Sequence, residues 1–264
     1  MTEIDKLRNV GVLGHGGSGK TSLGDAMLFA AGATQRLGRV ADGSSAFDFE
    51  AEEVRRQISL SSALHSLTWK KYRVCLIDSP GYSPFLPDAL NTMRAFRAAI
   101  FLLSPSTGMR VEAEKLWQRA NDLNVSRIAF VSKMEREKAN FQEGLDAIFG
   151  SLESKGVPVQ MPIGAEENFK GVVDLVAMKA YLYEGDTGKF KESEVPGELA
   201  KQAEAMRVQL MESVAETDDA LLEKYLDSQS MEADELKRAL RSAVIERKLT
   251  PVLFGSALRQ IGVR

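Results

Sequence analysis

Short apolar runs, separated by helical patterns, occupy the first half of the chain. Each run is short enough to form one buried strand. The runs are residues 10–13, 72–77, 99–103 and 128–131. After the first run, Leu23, Ala26 and Ala30 recur at helical spacing. Repeated alternation of strand and helix predicts a mostly parallel, doubly wound sheet.

The pattern changes after residue 156. Residues 157–163 and 170–182 alternate between apolar and polar positions, as strands do, and the polar segment 184–196 follows them. Residues 198–247 carry apolar stripes opposite charged faces, which is typical of amphipathic helices. A short apolar run at 251–254 returns to the strand pattern of the first half. An α+β subdomain is therefore predicted to interrupt the sheet domain.

These patterns divide the chain into three parts. We predict a sheet domain in residues 1–156, the inserted subdomain in residues 157–245 and a return to the sheet domain in residues 246–264. Because the last part has no room for a helix to cover its strand, we expect it to be truncated and the chain to be a piece of a longer protein. Residues 34–62 show no sustained pattern, and we expect a mobile functional loop there.

The amino-acid composition favours a globular protein and argues against a free-standing nucleic-acid binder or a membrane-spanning protein. The chain has 264 residues, 44% of them hydrophobic, so it can bury an ordinary globular core. Its 34 Lys and Arg against 37 Asp and Glu give a net charge of −3, whereas a free-standing nucleic-acid binder needs a basic excess. The single cysteine, Cys75, indicates a reducing compartment, and the longest purely apolar run, residues 98–103, is too short to span a membrane. We expect a cytoplasmic protein.

A glycine-rich motif follows the first predicted strand. Residues 14–21 read Gly-His-Gly-Gly-Ser-Gly-Lys-Thr and match the P-loop pattern G-x-x-x-x-G-K-S/T between a strand and a helix. Glycines let the backbone N–H groups surround phosphate oxygens, Lys20 adds a charge at the β and γ phosphates, and the Thr21 hydroxyl can bind Mg²⁺. The alternative is a glycine-rich turn that only begins a helix. The residues expected to bind nucleotide here are His15, Gly16, Gly17, Ser18, Gly19, Lys20, Thr21 and Ser22.

A second motif, Asp-Ser-Pro-Gly at residues 78–81, ends the predicted strand 72–77. The carboxyl end of a parallel strand lies at the same edge of the sheet as the P-loop. We therefore expect Asp78 to hold Mg²⁺, through water, and the Gly81 N–H to contact the γ phosphate. Without a P-loop in the chain, an ordinary turn would be the better interpretation of these residues.

A third segment, Ser-Lys-Met-Glu at residues 132–135, follows the predicted strand 128–131. The Glu135 carboxylate can accept hydrogen bonds from the N1–H and 2-amino groups of guanine, a pair that adenine does not offer, and the Lys133 stem can cover the ring. These residues favour GTP as the ligand. Because a charged loop after a strand is common, the tetrapeptide leaves an ATP-using protein as an alternative.

Over nearly the whole chain, the residues resemble the GTPase domain of elongation factor G, in particular a divergent branch with a glycine-rich phosphate loop. The similar stretches are residues 14–22, 42–43, 48, 56–59, 78–81, 132–137, 163–175 and 255–257. The resemblance implies an α/β fold of the P-loop NTPase class, a doubly wound, mostly parallel sheet with an inserted α+β subdomain. It also implies a translational GTPase that takes GTP or GDP and Mg²⁺, works on the ribosome as part of a longer protein with four further domains, has no membrane contact and is a monomer.

The resemblance adds residues to the site. Ser59 stands where the family has a threonine that binds Mg²⁺, so the implied metal ligands are Thr21, Ser59 and Asp78. Residues 255–257 match a loop that contacts guanine through backbone amides. The nucleotide-binding residues implied outside the P-loop are Ser132, Lys133, Glu135, Ser256, Ala257 and Leu258.

Departures from the family concern hydrolysis. Tyr82 occupies the place of the histidine that orients the attacking water, and a neutral phenol cannot serve in the same way. Gly16 replaces one of two apolar residues that screen this water, which leaves Ile58 as the other, and Gly17 replaces an aspartate. The expected catalytic residues are Lys20 and Gly81, with Tyr82 at the histidine position. Because of these departures, we expect slow or ribosome-stimulated hydrolysis of GTP. The alternative is a nucleotide-dependent binding module with negligible hydrolysis.

Overall fold

The computed structural model describes residues 4–104, 110–136, 149–150 and 155–263. Its strands are β1 (Leu7–Leu13), β2 (Ala63–Trp69), β3 (Tyr72–Asp78), β4 (Ala98–Leu103), β5 (Ser126–Val131), β6 (Lys155–Pro158), β7 (Gln160–Ile163), β8 (Gly171–Asp174), β9 (Lys179–Tyr183), β10 (Phe190–Glu194) and β11 (Leu249–Phe254). Its helices are α1 (Lys20–Ala30), α2 (Ala51–Arg56), α3 (Leu86–Thr92), α4 (Val111–Asp122), α5 (Gly197–Ala215), α6 (Asp219–Ser228) and α7 (Ala233–Ile245). None of these helices combines the length and apolar character that crossing a bilayer requires.

The main sheet has seven strands in the order β2-β3-β1-β4-β5-β11-β6. All neighbours are parallel except β2, which pairs antiparallel with β3. The central strands are buried on both faces, as their apolar runs require, and Val12 and Leu13 are both fully buried. The predicted mixed α/β fold with a mostly parallel sheet is confirmed. Parallel pairing brings the carboxyl ends of β1, β3, β5 and β11 to one edge, where the site lies.

A smaller antiparallel sheet lies between β6 and β11 in the chain. Its strand order is β10-β9-β8-β7, and helices α5, α6 and α7 follow it in sequence. Val173 and Leu175 from the strand side share a buried core with Leu210 and Val214 of α5. This separate core explains why the stripes in residues 198–247 are amphipathic. The predicted inserted subdomain is confirmed as a four-stranded element of the fold.

Two details differ from the sequence prediction. The sequence pattern places residues 157 and 158 in the insertion, but β6 pairs with β11 of the main sheet, with Val157 opposite Pro251. Alternation continues from β6 into β7, so the sequence pattern cannot show the change of sheet. The segment 184–196 was predicted only as polar, yet it contains β10, which pairs with β9. This edge strand is mostly exposed and therefore gives no apolar signal.

The 34–62 loop is folded against the body of the protein. Phe47 is buried, and a Cβ atom on Gly24 of α1 would lie 2.6 Å from its ring. The Glu53 carboxylate accepts the backbone N–H of Leu60 at 2.9 Å. The loop also contains the short helix α2, which the sequence did not predict because six residues carry no apolar stripe. Its mobility stays a prediction.

Candidate functional site

A cavity of about 590 Å³ opens at the carboxyl edge of the main sheet. The loops after β1, β3, β5 and β11 contribute to its wall, together with the 34–62 loop. Fourteen of the residues predicted from sequence therefore meet around one space. They are Gly16, Gly17, Gly19, Lys20, Thr21, Ser22, Ser59, Gly81, Tyr82, Ser132, Lys133, Glu135, Ala257 and Leu258.

The P-loop curls tightly between β1 and α1. Gly14, Gly17 and Gly19 have φ angles of 146°, 76° and 100°, a region that side-chain-bearing residues rarely adopt. The Ser18 N–H donates to the His15 carbonyl at 3.2 Å and closes the turn. Helix α1 then begins at Lys20, so the positive end of its dipole faces the cavity. Such a helix start with converging N–H groups is suited to anions.

Lys20 is held inside the loop. Its side chain is 6% exposed, and Nζ donates to the His15 carbonyl at 3.0 Å. Burial lowers the pKa of Lys20, while attraction to Asp78 and Asp48 acts in the opposite direction. Gly81 lies against the same group, because a Cβ on Gly81 would collide with Lys20 Nζ and stand 2.6 Å from the Gly14 carbonyl oxygen. Glycine at position 81 therefore allows the loop after β3 to approach the P-loop.

Four oxygen-bearing side chains form a chain beside Lys20. Thr21 Oγ1 donates to Asp78 Oδ2 at 2.6 Å and lies 3.0 Å from Ser59 Oγ. Ser59 Oγ donates to Asp48 Oδ1 at 2.7 Å. Asp78 Oδ1 and Asp48 Oδ2 are buried and have no hydrogen-bond partner within the described residues. Hydroxyl and carboxylate oxygens with free acceptor positions fit Mg²⁺, which keeps several waters and uses few protein ligands.

The carboxylates of this group lie in an environment that disfavours their charge. Burial raises the pKa of Asp78 to about 7, although Lys20 and the hydrogen bond from Thr21 act to lower it. Burial likewise raises the pKa of Asp48. A divalent cation would offset this penalty. In the sequence, Asp48 belongs only to the family resemblance, because no periodic pattern around it marks it as a site residue.

Two hydrogen bonds join the loop after β5, which contains Ser132, Lys133 and Glu135, to the P-loop. Ser132 Oγ donates to the Ser18 carbonyl at 2.7 Å, and Lys133 Nζ donates to the Gly17 carbonyl. Glu135 lines the cavity, and its Oε2 atom is buried without a hydrogen-bond partner in the described part of the chain. Leu258 borders the same space and is half exposed. An apolar edge with an acceptor beside it matches the needs of a purine that carries N–H donors.

Four predicted residues lie behind the wall rather than in it. The His15 ring is buried, with Nδ1 2.7 Å from the Gly16 carbonyl oxygen. Ser256 is buried, and its Oγ accepts the Arg259 N–H at 3.1 Å, which holds the turn after β11. Ser18 and Asp78 are also buried. These four residues do not line the cavity, but Asp78 adjoins it through the hydrogen bond from Thr21, and the others can shape its wall through backbone and hydrogen bonds.

Several wall residues were not predicted. Residues 37–41 form one side of the cavity, and the carbonyl of Ala41 accepts a hydrogen bond from Gln57 Nε2 at 2.9 Å. The sequence marked the whole 34–62 loop as functional without distinguishing these positions. Arg39 and Arg136 add positive charge to the wall. Only the fold brings Arg39 of the 34–62 loop and Arg136, which follows β5, to the same space as Lys20.

Ser132, which links the loop after β5 to the P-loop, gives a first testable prediction. We expect Ser132→Ala to destabilise the protein by about 1 kcal/mol, because the buried Ser18 carbonyl loses its donor. The measurement is the midpoint of urea unfolding. Ser66→Ala, at an exposed position of β2, is the control and should leave the midpoint unchanged. An equal shift in both variants would contradict the role of this hydrogen bond.

The chain is similar in sequence and in fold to other proteins. The family described as elongation factor Tu GTP binding domain matches residues 5–264. An elongation factor G of Thermotoga petrophila is 37% identical over 263 residues, which cover 99% of this chain and 38% of that protein. A crystal structure of a protein from Thermus thermophilus superposes with a TM-score of 0.89 at 32% identity, covering 97% of this chain and 38% of the other. This chain thus spans 38% of the length of each relative.

Proposed function

Because this chain belongs to the family of elongation factor Tu GTP-binding domains, we propose that it binds GTP and GDP together with Mg²⁺ and hydrolyses GTP to GDP. Hydrolysis is slow, or is stimulated by the ribosome in the longer protein. One observation carries this proposal: the P-loop, the hydroxyl and carboxylate chain around Thr21, and the buried acceptor of Glu135 meet in a single cavity.

Different residues of the cavity bind the phosphate groups and Mg²⁺. The N–H groups of the P-loop and the N-terminus of α1 bind the phosphate oxygens, and Lys20 places its charge beside them. Thr21 and Ser59 would offer hydroxyl oxygens to Mg²⁺, and Asp78 would hold the ion through water. The bound ion supplies charge neutralisation for the phosphate groups. Gly81, against Lys20, brings a further N–H to the γ phosphate end.

Guanine selectivity depends on Glu135. Its Oε2 atom, which has no hydrogen-bond partner among the residues that the structure describes, lies in the cavity wall and can accept from the N1–H or the 2-amino group of guanine. Adenine lacks this pair of donors, so its binding would leave the buried carboxylate unsatisfied.

We expect Glu135→Ala to reduce the preference for GTP over ATP by about tenfold, through loss of one or two hydrogen bonds to the base. The measurement is displacement of a fluorescent guanine nucleotide by unlabelled GTP and by ATP. Glu198→Ala, on the first turn of α5, is the control and should leave the preference unchanged. If Glu135→Ala weakened both nucleotides equally, the carboxylate would not be reading the base.

A second function, a nucleotide-dependent binding module with negligible hydrolysis, is favoured by one observation. Tyr82 follows Gly81 and borders the cavity, so a neutral phenol stands where an imidazole would act on water. Single-turnover hydrolysis by the longer protein, with and without ribosomes, separates the two functions. A ribosome-stimulated rate supports the GTPase, whereas no turnover under either condition supports the binding module.

Titration calorimetry with GTP, GDP and ATP, with and without Mg²⁺, tests the proposal as a whole. The expected result is about micromolar or tighter binding of both guanine nucleotides in Mg²⁺ buffer. ATP should bind far more weakly, and removal of Mg²⁺ should weaken GTP more than GDP. The absence of any heat with GTP and GDP would overturn the proposal.

A further inference from the structure

The ring of Tyr82 lies directly over the P-loop. A Cβ atom built on Gly16 would stand 2.6 Å from Cδ1 of this ring and 2.7 Å from Cγ and Cε1. A Cβ atom on Gly17 would stand 3.8 Å from the phenolic oxygen. The ring therefore runs along the backbone of these two glycines, with its hydroxyl at the Gly17 end. The side chain remains 42% exposed, so its outer face meets solvent.

The backbone does not explain why residue 16 is a glycine. Gly14, Gly17 and Gly19 have positive φ angles, but Gly16 does not. Position 16 therefore does not need glycine to reach a positive φ angle. A contact below 3 Å between a Cβ and ring carbons is too short to be tolerated. The space at Gly16 is therefore taken by the Tyr82 ring.

We propose that Tyr82 is a positioning residue whose ring covers the phosphate end of the cavity, and that Gly16 is the space which admits the ring. This inference rests on the proposed function, since the covered backbone is the segment assigned to the phosphates. Tyr82, Gly16 and Gly17 all border the cavity, so the cover belongs to the site itself. The apolar ring carbons make the contact, and the hydroxyl is not needed for it.

Two consequences follow for nucleotide binding. The ring limits the access of bulk water to the P-loop amides, and it must move aside when the phosphate groups enter or leave. Removal of the ring should therefore speed both exchange of amide protons and release of nucleotide. A smaller imidazole at this position would leave a gap above Gly16, so Tyr82→His alone should speed release as well.

A double-mutant cycle in this chain tests the pairing of Gly16 with Tyr82. Gly16→Ala pushes the ring away and Tyr82→Ala removes it, so each should speed release of a fluorescent GTP analogue in Mg²⁺ by about tenfold. The double variant should be no faster than the faster single variant, because both changes destroy one contact. Multiplication of the two effects would overturn the inference. Tyr82→Phe should keep the original rate, and a rate as fast as that of Tyr82→Ala would overturn the role of the ring.

Gly197→Ala is the matched control for a glycine substitution. A Cβ on Gly197 meets no atom within 4 Å, so this variant should release nucleotide at the original rate. All variants should stay folded, with a cooperative urea unfolding transition, because the Tyr82 ring is 42% exposed.

Amide exchange of residues 16–18 without nucleotide gives a readout that does not depend on the proposed function. Tyr82→Ala and Gly16→Ala should each speed this exchange by about tenfold, while Tyr82→Phe should not. If the original chain binds no guanine nucleotide, the proposed function fails and this measurement still decides the inference. Exchange that is equal in all four proteins would show that the ring does not cover the loop.

Discussion

We expect Lys20→Met to weaken GTP binding by about 1,000-fold, or about 4 kcal/mol. The lysine is buried in the P-loop, between the His15 carbonyl that it contacts and the approach of Gly81. Methionine keeps the length of the side chain but has no charge to place against phosphate. The phosphate groups would then be bound by backbone N–H groups and Mg²⁺, without the nearest side-chain cation.

Calorimetry with GTP and GDP in Mg²⁺ measures this effect. Lys191→Met, on the exposed strand β10, is the matched control and should bind both nucleotides normally. Circular dichroism should show the same fold for both variants. Burial lowers the pKa of Lys20, so the charged form of this side chain does not stabilise the folded state. Affinity within a few-fold of the original would contradict the assignment of Lys20 to phosphate.

Asp78→Asn is expected to remove most of the effect of Mg²⁺ on GTP binding, a loss of about 100-fold in affinity at saturating Mg²⁺. Asparagine is nearly isosteric and its Oδ1 can still accept from Thr21, so the fold should persist. What it lacks is the negative charge that attracts the ion. Without Mg²⁺, the variant and the original chain should therefore bind GTP with similar affinity.

The measurement is GTP affinity across a range of Mg²⁺ concentrations. Asp227→Asn, at an exposed position of α6, is the control and should show the original dependence. Normal Mg²⁺ dependence in Asp78→Asn would show that the ion is held elsewhere. A loss of GTP affinity that is equal with and without Mg²⁺ would indicate a structural role for Asp78 instead.

The parts of the site that lie close together in sequence could be predicted before the fold was known. The P-loop is one contiguous motif, Asp78 is the last residue of the apolar strand β3, and Ser132 directly follows β5. Because parallel strands share one carboxyl edge, a sheet of this class brings such loops together without further information. The P-loop, Gly81 and Ser132 border the same cavity, and Asp78 adjoins it through Thr21.

Other parts depend on contacts between distant loops that carry no periodic signal. Asp48 reaches Thr21 only through Ser59, and the Tyr82 ring reaches Gly16 across the P-loop. Neither contact leaves a pattern in the sequence around these residues. In the fold, the same limit applies to β10, whose exposed polar residues gave no reason to predict a strand. Local sequence thus identifies the chemistry of the site better than the contacts that shape it.

A crystal structure of this chain with a non-hydrolysable GTP analogue and Mg²⁺ tests the central claim most directly. The account predicts phosphate groups surrounded by the amides of residues 15–22, Mg²⁺ beside Thr21 and Ser59, and the guanine edge within hydrogen-bonding distance of Glu135. A cavity that contains no nucleotide at saturating concentration, or a base bound away from Glu135, would contradict it.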